Sequence, residues 1–77
     1  MRYSLHIHVK GTPHFLQRGH SLEVVQRDRY TIQRWVSEMG VEIPNPQQAK
    51  LVIYEDGEPT LQLAMSAIKR VWKPFTP

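Results

Sequence analysis

The chain has 77 residues, ten lysines and arginines against seven aspartates and glutamates, a formal net charge of +3, four histidines and no cysteine. Without thiols, disulfides and thiolate zinc sites are excluded, and a core this small is expected to draw extra stability from a homodimer. The mild basic balance permits nucleic acid as a partner without the dense cationic runs that would demand it. No signal-peptide core opens the chain and no apolar run approaches the ~20 residues of a bilayer span, so a cytoplasmic protein with no membrane partner is expected.

The clearest strand comes first. Tyr3, Leu5, Ile7 and Val9 alternate with Arg2, Ser4, His6, His8 and Lys10. A period of two predicts a β-strand with one face in the core and imidazoles and cations on the other. Gly11-Thr12-Pro13 is read as its end, residues 14–20 as a loop or short edge strand, and residues 21–26 as the return strand with Leu22 and Val24 inward. Ile32, Trp35, Val36 and Met39 then recur at helical spacing, which predicts an amphipathic helix over 28–39 with Asp28 as N-cap and Gly40 just past its end. Pro44-Asn45-Pro46 forbids further regular structure.

Lys50 to Glu55 is rich in β-branched residues, and Asp56-Gly57 is a strong hairpin signal before Thr60 to Met65. A two-residue turn sets Glu55 opposite Glu58 and Ile53 opposite Thr60. A longer one aligns Ile53 with Leu61 and Leu51 with Leu63, a better apolar match. Residues 66–73 are read as a short helix capped by Ser66 with Ile68, Val71 and Trp72 inward, or else as a continued strand. The expected fold is a single α+β domain: a small antiparallel, ββαββ-like sheet, one amphipathic helix on one face, and a short C-terminal helix. Its core comprises Tyr3, Leu5, Ile7, Val9, Leu22, Val24, Ile32, Trp35, Val36, Met39, Val52 or Ile53, Leu61, Leu63 and Trp72.

Three groups of residues carry usable chemistry. His6 and His8 share a strand face and could approach one metal ion, with His14 or His20 closing the site. Arg2 and Lys10 flank them, however, and the first carboxylate is Glu23, so no metal and no cofactor is expected. On the helix, Tyr30, Gln33, Arg34 and Ser37 form an outward face fit for a protein groove, a phosphate or base edges. Lys69, Arg70 and Lys73 surround Trp72, a combination that can bind nucleic acid by phosphate contact and stacking. No recognisable catalytic motif is present, and enzyme activity is not expected.

Tyr30 to Gly40, followed by Pro44, resembles the recognition helix of excisionase-like winged helix-turn-helix proteins. The hairpin around Asp56-Gly57 would be the wing, and the resemblance implies DNA contact through Thr31, Gln33 and Arg34. It covers about a third of the chain and departs from the family where Leu22 to Asp28 is too short for a first helix and turn. The leading expectation is a non-catalytic binding module, an accessory regulator or inhibitor of phage or mobile-element type, meeting a protein partner through Arg2, His6, His8, Lys10, Tyr30, Gln33 and Arg34. The alternative is a nucleic-acid-binding regulator using Gln33, Arg34, Lys69, Arg70 and Lys73.

Overall fold

A computed structural model describes residues 2–77. Five antiparallel strands form one sheet: β1 (Tyr3–Val9), β2 (Thr12–Gly19), β3 (Ala49–Glu55), β4 (Glu58–Ala64) and β5 (Lys73–Pro74), in the order β2-β1-β3-β4-β5. Between β2 and β3 lie two helices, α1 (Leu22–Val25) and α2 (Arg29–Glu38), and a 3-10 turn at Pro46–Gln48. The α+β class and the helix-covered antiparallel sheet are as expected. The fifth strand and the extra helical turn replace the simpler ββαββ scheme.

β1 sits at the centre because its apolar set matches both neighbours. Leu5 pairs with Ile53 and Ile7 with Leu51 across β3, and all four are fully buried. A one-residue slip would turn every one of them outward, so burial pins this register. On the other side, Lys10 and Gly11 have φ of 52° and 83°, the positive values a two-residue hairpin turn requires. The return strand is therefore Thr12–Gly19: of the two expectations for residues 14–20 it is the edge strand that forms, and it begins at Thr12 and Pro13, which were expected only to end β1. Two features disguised it. Pro13 lies in the strand, tolerated because β2 is an edge. A bulge between the Leu5 and His6 pairings inserts Leu16, which is buried, and breaks the alternation.

Residues 21–26, expected to be that return strand, form α1 instead. The place beside β1 is already taken, and one helical turn is enough to bury Val25. Gly19 permits this turn to close down. A Cβ there would lie 2.6 Å from Val24 Cγ1 and 2.7 Å from Val24 Cβ.

α2 follows the sequence closely. The Asp28 carboxylate accepts from the Thr31 N–H and from the Thr31 hydroxyl, both at 2.9 Å. At the other end the Gly40 N–H donates to Ser37 O and the Val41 N–H to Val36 O, a Schellman closure with Gly40 at φ 70°. Thr31, Ile32, Trp35 and Val36 are buried against the sheet. Met39 is the C-cap, 51% exposed, and is not core. Leu16, Val25, Ala49 and Leu51 join the core instead.

In the β3–β4 hairpin the two registers weighed from sequence are reconciled. Asp56 and Gly57 have φ of 51° and 86°, and Glu55 does oppose Glu58. A bulge at Thr60 then shifts the ladder, so that Ile53 meets Leu61 and Leu51 meets Leu63. The extra residue is held by its hydroxyl, which donates to Ile53 O at 3.1 Å.

The C-terminal helix does not form. Seven or eight residues are too few to sustain a helix without packing, and of its expected inward face Ile68 is 93% exposed while only Trp72 reaches the core. The segment is instead tied to the start of α2: Arg29 Nη2 donates to Ala67 O at 2.8 Å and Arg70 Nη2 to Arg27 O at 3.2 Å. Lys73 and Pro74 then pair with Gln62 and Leu61. Among the described residues no helix is long and apolar enough to cross a membrane.

Candidate functional site: an aromatic and cationic sheet face

Directly opposed residues of antiparallel strands point to the same side. The pairings Ser4–Arg18, His6–Phe15, Ser4–Tyr54, His6–Val52, His8–Lys50, Val52–Gln62 and Gln62–Lys73 therefore define one continuous face, turned away from both helices. It is less open than strand alternation alone predicts. Val52 is fully buried on it, with no helix above, because a layer of rings seals it.

That layer is connected from end to end. His6 packs edge-on to Phe15 (5.6 Å between centroids, 81°) and to Tyr54 (4.5 Å, 60°). His8 Nε2 is hydrogen-bonded to the Tyr54 hydroxyl at 2.8 Å. Past β5 the Phe75 N–H donates to Thr60 O at 3.0 Å, which lays the Phe75 ring 6.4 Å from His8. A cation closes each end. The Arg18 guanidinium lies 5.4 Å from the Phe15 centroid and Lys50 Nζ 4.7 Å from that of Phe75.

The electrostatics are one-signed. Arg18, Lys50 and Lys73 stand on this face and none of its paired positions is Asp or Glu. Glu55, at the rim, is taken up by Arg2 Nη2 at 2.6 Å. Burial holds the His6 imidazole below its ordinary pKa, helped by His8. Burial likewise lowers His8, with Lys50 and His14 adding to it. Both rings are thus neutral aromatic surfaces near pH 7. His6 Nδ1 is buried with no hydrogen-bond partner. The less costly tautomer therefore carries its proton on Nε2, where a donor can find water or a ligand.

Between β2 and the β3–β4 turn the layer opens into two adjoining depressions that share Ser4, His6, Phe15 and Gly57. One, of about 400 Å³, is also lined by Arg18, and the other, of about 540 Å³, by Tyr54.

The residues singled out from sequence are scattered over several surfaces. His6 and His8 lie within the aromatic layer as described. Arg2 is committed to Glu55, and Lys10 is exposed in the β1–β2 turn. Tyr30, Gln33 and Arg34 are exposed on α2, behind the helix layer, and among the described residues no cation–π contact joins Tyr30 to Arg34. The basic C-terminal group is divided, since Arg70 turns to Arg27 O while Lys73 joins the sheet face. His14 opposes Ile7 and so points to the helix side, and among the described residues no set of three His, Asp or Glu is placed to hold a metal ion.

The helix-turn-helix likeness fails on the fold. α1 has four residues, the expected wing is interior to the sheet with β3 paired on both sides, and Thr31 is buried on its cap. Phe15, Arg18, Tyr54 and Phe75 were missed. Tyr54 was legible in the alternation Lys50, Val52, Tyr54. The bulge hid Phe15 and Arg18, and the expected helix hid Phe75. No protein-family model, curated protein or solved structure matches the chain.

Proposed function

We propose that the protein is a binding module that takes single-stranded nucleic acid on its uncovered sheet face. The observation that carries this is the combination there of a continuous ring layer, three cations and no carboxylate. Unpaired bases stack on aromatic side chains while phosphates meet Lys and Arg, and a strand needs no groove or enclosed pocket to be held this way. Strand addition at the sheet edge is less well supported, because β2 carries both Pro13 and a bulge, two devices that blunt an edge.

Fluorescence anisotropy with short labelled oligonucleotides tests the proposal. Three phosphate contacts give a log–log salt slope of about −2 for a single strand, so affinity falls roughly twentyfold between ~50 and ~200 mM salt. Absence of binding at ~50 mM salt and ~100 µM protein, or equal affinity for duplex and single strand, overturns it.

The exposed Ile68 supports a second reading, in which residues 66–72 contact a protein partner or a second copy of the chain. Sedimentation of the chain before and after Ile68→Asp checks the homodimer. A monomer in both cases removes it.

A further inference from the structure

We infer that the bound single strand does not end on the ring layer but continues past β4 into a cleft beside residues 67–73, where Lys69 supplies a fourth phosphate contact. The inference rests on the single-strand reading and extends its site. β5 pairs only with Leu61 and Gln62. Beside Leu63 and Ala64 the sheet edge therefore meets the incoming loop instead of a strand, and a cleft of about 500 Å³ remains there. Leu63, Ala64, Ala67 and Val71 give it an apolar lining. Lys69 and Lys73 both stand on its wall, and none of the lining residues is Asp or Glu.

The cleft is continuous with the ring face. Gln62 and Lys73 belong to both, since they oppose each other on that face and also line the cleft. Lys50 Nζ, the cation beside Phe75, donates to Gln62 Oε1 at 3.0 Å and so borders it. A polyanion crossing the sheet meets Arg18, Lys50, Lys73 and then Lys69, over the ~19 Å that separate β2 from β5 at ~4.8 Å per strand. The loop that presents Lys69 is anchored on both sides. Before it, the Ala67 N–H donates to Ala64 O at 3.1 Å and Ala67 O accepts from Arg29 Nη2 at 2.8 Å. After it, Arg70 Nη2 donates to Arg27 O at 3.2 Å and Trp72 packs on the core. Lys69 itself is exposed, and Arg2–Glu55 is the one ion pair among the described residues, so no carboxylate competes for its ammonium.

Anisotropy with labelled oligo-thymidine of about twelve nucleotides tests this. Even at the stacked spacing of ~3.4 Å such a strand is longer than the sheet is wide. Four contacts give a log–log salt slope of about −2.8, against about −2 for three. Lys69→Gln is expected to return the slope to about −2 and to weaken binding about eightfold at ~50 mM salt, whereas Lys69→Arg keeps both values. Arg34→Gln removes the same charge from the outer face of α2 and is expected to leave the slope unchanged. A Lys69→Gln slope equal to that of the wild type assigns the cleft to another occupant and overturns the inference, with the single-strand reading left standing. An equal loss of slope in Arg34→Gln overturns it too, because the effect of Lys69 would then be one of net charge. Absence of binding by the wild-type chain removes both readings.

Discussion

Val52→Ala asks whether the face turned away from the helices is sealed by its own rings. Val52 has no accessible surface, and its cross-strand neighbours on that face are His6 of β1 and Gln62 of β4. Truncation removes two carbons. At ~0.8 kcal/mol per buried carbon the transfer loss is about 1.6 kcal/mol. The rings above are held by edge contacts and the His8–Tyr54 hydrogen bond, so they cannot fully collapse into the gap. A cavity contribution then raises the total to about 2–3 kcal/mol. In a chain of this size each kcal/mol moves the melting temperature by ~4–8 °C, so a fall of about 8–24 °C is expected. Thermal melts followed by far-UV circular dichroism give the shift, and the near-UV signal reports the ring layer itself. Gln33→Ala, exposed on α2 and outside the ring layer, is the control. A shift below ~3 °C for Val52→Ala would mean that water already reaches Val52, and the ring layer as described would be refuted.

Other consequences are equally direct. Gly19→Ala drives a methyl into the Val24 Cβ and Cγ1 positions, and overpacking of this kind costs about 1–3 kcal/mol. Chemical denaturation measures it, and a neutral result would show that α1 can lift from β2 at no cost. His6 and His8 are lowered by burial, so the folded chain binds fewer protons than the unfolded one once the pH drops to the ordinary imidazole value of about 6.5. Stability therefore declines as pH falls through and below that value. The double variant His6→Phe/His8→Phe should show a flatter melting-temperature profile between about pH 7.5 and 5, and matching profiles would contradict the burial of the rings. Asp28 is shifted the other way, held below its usual value by the Thr31 N–H and hydroxyl. Its cap contributes fully above the ordinary carboxylate range and is lost as pH falls through the lowered folded value. Asp28→Ala lowers the melting temperature at pH 7 and reduces the acid sensitivity below about pH 4. Equal acid sensitivity in the two chains would count against the cap.

Local patterns determined a good part of this protein by themselves. The alternation of β1, the stripe and both caps of α2, and the Asp56-Gly57 turn each follow from interactions within a few residues, where period and backbone preference suffice. What escaped was decided at longer range. The return strand of the first hairpin depended on a bulge that places Leu16 in the core, a choice made by the space above β1. The second hairpin required a two-residue turn together with a bulge at Thr60, because turn geometry and core alignment make separate demands that one extra residue satisfies together. Residues 66–72 gave up helicity because only Ala67 and Trp72 find apolar contact with the core, while Ile68 and Val71 stay exposed. The ring layer belongs wholly to this second category. Phe15, His6, Tyr54, His8 and Phe75 lie as far as 69 residues apart in the chain, and only the pairing of β1 with both β2 and β3, plus the return of the chain past β5, brings them onto one face.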